Sequence, residues 1–88
     1  MIISAELSLY PLTPAYETTI IDFIGLLREQ PGITVAVNGL STQLTGEYAA
    51  VMGAISTAME PTLAGPVTCS FVMKILNVAI EPGKAVLE

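Results

Sequence analysis

The chain contains no histidine, and its single cysteine is Cys69. One cysteine excludes an internal disulfide, and the lack of histidine excludes a metal site built from cysteine and histidine. It also removes the commonest acid–base side chain near neutral pH. Cys69 lies in an apolar run and cannot pair with a histidine, so we interpret it as a buried structural thiol. Glycine-rich phosphate-binding motifs are absent as well. We therefore expect no metal, no cofactor and no catalysis.

Basic residues are almost as scarce. Arg28, Lys74 and Lys84 are the only ones, they are scattered along the chain, and the net charge is −5. Binding to a phosphate backbone requires clustered lysine and arginine. We therefore expect no nucleic-acid partner.

Charged residues of both signs make up only 12% of the 88 residues, whereas typical globular domains carry about a quarter. A chain of this length suits one domain. It has too few charges to coat the surface of a monomer, so we expect part of that surface to be buried against another copy. The alternative is a merely apolar small domain, but small cores often need such support.

Long apolar runs are missing too, although 52% of the residues are apolar. Crossing a bilayer takes roughly 20 nearly uninterrupted apolar residues. The best candidate, residues 48–59, is bounded by Glu47 and Glu60. The stretch after Met1 has no basic region and is interrupted by Glu6 and Pro11, so no signal peptide is predicted. We expect no membrane partner and a cytoplasmic protein.

Strict alternation of apolar and polar side chains predicts a first strand over residues 2–10. Pro11 ends this strand because proline cannot donate to a strand ladder. Thr13 as a cap and Pro14 as the first helical residue then favour the start of a helix. A proline–glycine pair at 31–32 ends that helix. Its apolar stripe consists of Tyr16, Ile20, Phe23, Ile24 and Leu27.

A β-hairpin is predicted in the middle of the chain. Residues 33–38 are rich in β-branched side chains, and the Asn38-Gly39 pair that follows accepts the positive φ of a tight turn. Residues 40–45 would form the returning strand. A loop longer than two residues is also compatible with this pattern.

A second helix is predicted to open at Thr45, with Thr45 as its cap and Glu47 in its first turn. Its core stripe consists of Tyr48, Val51, Met52, Ile55 and Met59. The opposite side carries small residues: Ala49, Ala50, Gly53, Ala54, Ser56, Thr57 and Ala58. That side either lets another element approach closely or simply faces solvent. Residues 61–66 are predicted to be a loop.

Residues 67–80 predict a long last strand, with a short tail beginning at residues 82–83. Alternation places Cys69, Phe71, Met73 and Ile75 on one face and Thr68, Ser70, Val72, Lys74 and Leu76 on the other. Apolar residues on both faces indicate a strand covered on both sides. The helices can cover one face, and a second subunit or a ligand would cover the other.

The predicted order is strand, helix, strand, strand, helix, strand. This order is typical of a ferredoxin-like α+β fold, in which two helices pack on one face of a four-stranded antiparallel sheet.

Polar side chains recur in two places within this predicted fold. One group lies on the outward side of the first strand, and the other lies on the hairpin and at the start of the second helix. The two groups are Ser4, Glu6 and Ser8, and Asn38, Ser41, Thr42 and Glu47. They predict a pocket that hydrogen-bonds a small polar, cationic ligand. Alternatively, the first group is only the outward half of an amphipathic strand.

Two short motifs resemble a known family. Residues 3–12, ISAELSLYPL, look like the first strand of the YkoF-like family of thiamine- and hydroxymethylpyrimidine-binding proteins. Residues 39–47, GLSTQLTGE, are similar to the hairpin and following strand of that family, where a Ser-Thr pair precedes Gly-Glu by a few residues. The spacing of helices and strands agrees over nearly the whole chain.

The resemblance implies a non-enzymatic protein that binds thiamine or its hydroxymethylpyrimidine precursor. Family members carry this domain in tandem or assemble it from separate copies, which implies a homodimer or homotetramer here. By position, the resemblance carries over Ser4, Glu6, Ser8, Ser41, Thr42 and Glu47. Met52 and Phe71 would be apolar walls of the pocket or, more simply, core residues. The alternative function is that of an ACT-like regulatory or interaction module without this ligand.

Overall fold

The computed structural model describes residues 1–84, which form four strands and two helices. These are β1 (Ile2–Pro11), α1 (Tyr16–Arg28), β2 (Ile33–Val37), β3 (Thr42–Glu47), α2 (Tyr48–Ala64) and β4 (Cys69–Leu76). The strands make one antiparallel sheet in the order β2-β3-β1-β4. Both helices pack on one face of it. The predicted ferredoxin-like α+β fold is confirmed.

The two central strands overlap only in part. β1 pairs with β3 from Ile2 to Leu7, and with β4 from Ser4 to Pro11. The second half of β1 therefore runs past the beginning of β3. This offset leaves a recess between β1, the β2–β3 loop and α1.

The core fills the space between the helices and the sheet. Alternate residues of β1 point into it, as the periodicity predicts. Phe23 of α1 packs edge-on against Phe71 of β4, with ring centroids 5.0 Å apart. The buried set is Ile3, Ala5, Leu7, Phe23, Leu27, Leu44, Val51, Ala54, Ile55 and Ala58.

α1 begins later than its capping signals predict. Its first residue is Tyr16, its N-cap is Ala15, and no side chain caps it. The predicted start at Thr13 and Pro14 is wrong because the chain is still tied to the sheet there. The Leu12 amide donates to the Thr68 carbonyl oxygen at 2.8 Å. The chain must turn before the helix can start.

α2 also starts without the predicted cap. Thr45 lies within β3, and Glu47 takes the N-cap position without a side-chain hydrogen bond to the helix. The Tyr48 amide donates instead to the Met1 carbonyl oxygen, 2.9 Å away. The Glu47 carboxylate pairs with the amino group of Met1, also at 2.9 Å. Sheet pairing has therefore overridden the local capping signal.

The small residues of α2 do not form one uniform side. Ala54 and Ala58 are buried in the core, whereas Gly53 is exposed. The helix also continues through Pro61 to Ala64, so the predicted loop over residues 61–66 is wrong. The Thr62 hydroxyl donates to the Ala58 carbonyl oxygen at 3.2 Å, adding a hydrogen bond in the turn that contains the proline. Neither α1 nor α2 is long and apolar enough to cross a membrane.

The β2–β3 hairpin is present, but its turn differs from the predicted one. Within residues 1–84 only Gly32 and Gly83 have positive φ, so Asn38 and Gly39 do not form a tight mirror-image turn. The loop spans residues 38–41. The Asn38 side-chain oxygen accepts from the amides of Leu40, at 2.8 Å, and Ser41, at 2.9 Å. A side-chain turn of this kind mimics a backbone turn and needs no positive φ.

The last strand is shorter than predicted. β4 ends at Leu76, and the chain then crosses the face of the sheet opposite the helices, here called the outer face. The Ile80 amide donates to the Ser4 hydroxyl oxygen at 3.1 Å, and the Gly83 amide donates to the Gln43 side-chain oxygen at 2.8 Å. Residues 77–83 are called the strap below. The strap covers part of the outer face, which was expected from the sequence to be covered by a second subunit or a ligand.

The position of β4 at the edge of the sheet explains a further difference. Cys69, expected to be a buried thiol, is only partly buried because it begins an edge strand. Met73 and Ile75 share the helix-side face, yet they are 41% and 43% exposed. The helices lie over β1, β2 and β3 and leave this edge open.

Two glycines give a matched test of the packing. A Cβ added to Gly46 would lie 2.7 Å from the Gly32 carbonyl oxygen, whereas one added to Gly53 would have no neighbour within 4 Å. We expect Gly46→Ala to lower the free energy of unfolding by about 1–3 kcal/mol through overpacking. Gly53→Ala should raise it by up to about 1 kcal/mol because alanine favours the helix. Urea denaturation measures both changes, and a Gly46→Ala variant as stable as the wild type would contradict this packing.

Candidate functional site

A recess opens where β1 runs past the beginning of β3. The second half of β1, the helix α1 and the loop of residues 38–41 enclose a cavity of about 100 Å³, here called the hairpin pocket. Its apolar walls come from β1, α1, β2 and the loop. They include Leu9, Ile20, Phe23, Ile24, Val37 and Leu40.

The polar groups of the hairpin pocket gather at its hairpin side. Ser8, Asn38, Ser41 and Thr42 all line it, so four of the seven predicted site residues come together. Thr42 is only 6% exposed, and within residues 1–84 its hydroxyl makes no hydrogen bond. No buried side-chain oxygen or nitrogen of the described residues lacks a hydrogen-bond partner, so this hydroxyl is accessible in the pocket, where water or a ligand can bond to it.

The backbone of β1 adds a second kind of polar group. Its pairing with β3 ends at Leu7, and no other strand among the described residues takes the edge of residues 8–11 on that side. Backbone amides and carbonyls along a strand edge are strong hydrogen-bonding groups. Leu7, Ser8 and Leu9 of β1 line the pocket, so backbone polar groups of this open edge lie beside its apolar wall.

Glu6 lies outside the hairpin pocket and stabilises the loop that encloses it. One carboxylate oxygen accepts from the Ser41 hydroxyl at 3.0 Å, and the other lies 3.7 Å from the Lys74 ammonium. The hydrogen bond to Ser41 ties the hairpin loop to β1. Glu6 also borders a second cavity of about 140 Å³ beneath the strap, together with Gln43 and Lys74.

The other two predicted site residues lie elsewhere. Ser4 is 2% exposed beneath the strap, where it contacts Val78, Ile80 and Thr45. Glu47 lies at the opposite end of β3 from the hairpin pocket and pairs with Met1. The seven residues are therefore divided between one pocket, its support, the strap and a distant ion pair. Their role as ligand contacts stays a prediction.

The apolar half of the pocket and the open edge of β1 were not predicted from the sequence. Ile20 and Ile24 have the spacing of a core stripe, and nothing local shows that they also border a recess. The open edge of residues 8–11 depends on where β3 begins, which is set by the hairpin loop. Met52 and Phe71 pack against the core cluster, as the simpler interpretation predicted.

The fold and the pocket define a ferredoxin-like α+β protein with a small recess beside its central strand. No protein-family model matches the chain, and no curated protein matches it. Solved structures do match. A Streptococcus pneumoniae protein superimposes with a TM-score of 0.80 at 26% identity, covering 91% of this chain and 90% of that one.

Two further structures share the fold. A hypothetical protein of Methanocaldococcus jannascii has a TM-score of 0.76 at 20% identity, covering 91% of this chain and 84% of its own. A Thermotoga maritima protein described as a candidate for thiamine biosynthesis or salvage has a TM-score of 0.65 at 12% identity, with 83% and 82% covered. At these identities the likeness establishes the fold.

The conformation of the loop that closes the hairpin pocket should depend on the side-chain oxygen of Asn38. Asn38→Ala removes the acceptor for two loop amides, so we expect faster hydrogen exchange at Leu40 and Ser41. The free energy of unfolding should fall by about 0.5–1.5 kcal/mol. Asn38→Asp keeps an acceptor oxygen and should retain the protection. Equal exchange rates in the alanine variant and the wild type would show that this turn does not order the loop.

Proposed function

We propose that this chain is a non-enzymatic small-molecule binding protein of the cytoplasm, and that its ligand is thiamine or the hydroxymethylpyrimidine part of it. The hairpin pocket is the proposed site. The observation that carries the proposal is the Thr42 hydroxyl, which makes no hydrogen bond within residues 1–84 and is accessible in the pocket beside the open edge of β1. The two motifs that resemble a thiamine-binding family and the description of the Thermotoga maritima protein support the choice of ligand.

The size of the pocket favours one ring as the buried part of the ligand. An engineered apolar cavity of about 150 Å³ holds benzene, and the hairpin pocket encloses about 100 Å³ but is open at its mouth. An aminopyrimidine ring fits this scale, and the remainder of thiamine would extend outside. The ring carries donors and acceptors along its edge, which suit the strand edge that opens at Ser8 and the hydroxyl of Thr42.

The polar groups of the pocket suit binding better than catalysis. Ser8, Asn38, Ser41 and Thr42 do not ionise near neutral pH. The nearest carboxylate, Glu6, is held by Ser41 and faces Lys74. General acid–base catalysis needs a titrating group within hydrogen-bond reach of the substrate. The proposal is therefore a binder without chemistry of its own.

An ACT-like interaction module is the alternative function. Such a module would use the side of β1 that carries Ser4, Glu6 and Ser8 as a contact surface with no cavity beside it. Ser8 borders the hairpin pocket, and Ser4 and Glu6 border the cavity under the strap. These cavities support the ligand-binding proposal over the alternative.

We further propose that copies of the chain associate through the sheet into a homodimer or homotetramer. Four apolar side chains on β4 support this proposal, since Val72, Met73, Ile75 and Leu76 are each 41–56% exposed. Contiguous exposed apolar surface commonly marks an interaction site.

Light scattering tests this assembly. We expect a mass of at least twice 9.2 kDa at micromolar concentration. The physical reason is the free energy gained by removing apolar surface of β4 from water. A mass equal to that of one chain would contradict the assembly without affecting the ligand proposal.

Titration calorimetry with hydroxymethylpyrimidine and thiamine tests the ligand. Thr42→Val keeps the shape of the side chain and removes its hydroxyl, so we expect affinity to fall by about tenfold, the equivalent of one hydrogen bond. Thr57→Val, on the exposed side of α2, is the matched control and should bind like the wild type. Thermal unfolding verifies that both variants fold. The ligand proposal fails if neither compound gives heat or a thermal shift at millimolar concentration.

A further inference from the structure

We infer that the backbone amide and carbonyl of Leu9 together hydrogen-bond the edge of the ligand ring, and that this edge carries an acceptor next to a donor. The inference rests on the proposed function and specifies it. The aminopyrimidine half of thiamine has such an edge, formed by a ring nitrogen and the neighbouring amino group, whereas the thiazolium ring has no N–H or O–H donor. The bound ring takes the place that a further residue of β3 would occupy.

The backbone hydrogen bonds of β1 alternate between its two neighbouring strands. In an antiparallel pair, opposite residues either exchange both backbone hydrogen bonds or exchange none, and the two kinds of pair alternate. The Leu12 amide donates to the Thr68 carbonyl oxygen, so the even-numbered residues of β1 bond to β4. The Tyr48 amide donates to the Met1 carbonyl oxygen, so the odd-numbered residues bond to β3. The two assignments agree with each other.

Leu9 is the first odd-numbered residue beyond the end of β3. Its N–H and C=O therefore point toward the hairpin pocket, which Leu9 lines, and neither group forms a backbone hydrogen bond within residues 1–84. Continuing the register of β1 and β3 would give Leu40 as the partner of Leu9. The Leu40 amide donates instead to the Asn38 side-chain oxygen at 2.8 Å. The side-chain turn at Asn38 thus leaves both groups of Leu9 available to a ligand.

Pro11 makes Leu9 the single backbone donor of this edge. Pro11 is the next odd-numbered residue, so its nitrogen also faces away from β4, and proline has no N–H. A strand accepts proline where its nitrogen faces an open edge, which explains why β1 can end on this residue. Over residues 8–11, the open edge therefore presents the N–H of Leu9 and the carbonyl oxygens of Leu9 and Pro11.

A ring that combines one acceptor with one adjacent donor suits this edge. The acceptor bonds to the Leu9 N–H and the donor bonds to the Leu9 carbonyl oxygen, as the backbone groups of a paired residue would. A ring with acceptors alone leaves the carbonyl without a partner, which weakens binding. The Thr42 hydroxyl can donate or accept, so it adds a contact without selecting between such rings. Selection therefore falls to the backbone of Leu9.

Hydrogen exchange of backbone amides, followed by NMR, tests this geometry. In the free protein, the Leu9 amide should exchange at least roughly tenfold faster than the amides of Ser8 and Tyr10, which bond to β4. Saturating hydroxymethylpyrimidine should slow the Leu9 amide by at least roughly tenfold and move its proton resonance downfield, as a new hydrogen bond requires. The isolated thiazole half of thiamine should do neither.

Leu9→Pro and Leu9→Ala are a matched pair of variants. Both remove the leucine side chain, but only proline removes the N–H, which has no partner in β3 or β4. We expect Leu9→Pro to bind hydroxymethylpyrimidine at least about tenfold more weakly than Leu9→Ala, the equivalent of one hydrogen bond. Thermal unfolding verifies that both variants fold. If Leu9→Pro does not fold, the exchange measurement on the wild type tests the same N–H.

An altered ligand tests the other hydrogen bond. An analogue of hydroxymethylpyrimidine with a methyl group in place of the amino group cannot donate to the Leu9 carbonyl oxygen. We expect calorimetry to show that it binds the wild type about tenfold more weakly than hydroxymethylpyrimidine does.

The outcomes separate this inference from the proposed function. If hydroxymethylpyrimidine gives neither heat nor a thermal shift, the proposed function fails, and the inference fails with it. If it binds while the Leu9 amide still exchanges fast, the proposed ligand stands and the inference is overturned. Equal binding by Leu9→Pro and Leu9→Ala, or by the analogue and hydroxymethylpyrimidine, also overturns the inference and leaves the ligand proposal intact.

Discussion

The offset between β1 and its two neighbours is the constraint on which the rest of the molecule depends. β1 gives its first half to β3 and its second half to β4, with only Ser4 to Leu7 paired on both sides. Where β3 is missing, the backbone edge of β1 and the side chain of Thr42 border a recess. On its other side, this part of β1 stays paired with β4. Had β3 begun at residue 40, as the predicted tight turn at Asn38-Gly39 requires, this edge would have been closed.

The side chains on the two faces of β1 have different structural roles. Ile3, Ala5 and Leu7 fill the core beneath the helices, whereas Ser4 and Glu6 order the segments that lie above and beside the sheet. Ser4 bonds to the strap, and Glu6 bonds to the hairpin loop. Polar residues on an outward strand face are commonly regarded as solvent contacts, but here two of them connect β1 to segments 35 to 76 residues away along the chain. They therefore shape the hairpin pocket and the outer face of the sheet, although neither needs to touch a ligand.

The hairpin pocket and the strap lie at different parts of the sheet. The pocket combines a small apolar volume with hydroxyls and an open strand edge, a combination that suits a planar ring with donors and acceptors. The strap exposes the apolar side chains of Val78 and Ile80, and Lys74 and Lys84 form ion pairs with Glu6 and Glu81. Both regions contain few ionised side chains. Few ionised groups are present, and those near the sheet are mostly paired.

The order of the elements, the fold and most of the core follow from the sequence, because the two- and 3.6-residue periods record which face of each element is apolar. The sequence also indicates Ser8, Asn38, Ser41 and Thr42, which line one pocket. Where the elements begin and end, and which polar residues meet, depends on tertiary contacts. Thr45 could cap a helix locally but pairs in β3, residues 77–80 could extend a strand but cross the sheet, and Glu47 lies far from the pocket. These outcomes depend on pairing between residues distant along the chain. A local sequence pattern does not report the free energy of such contacts.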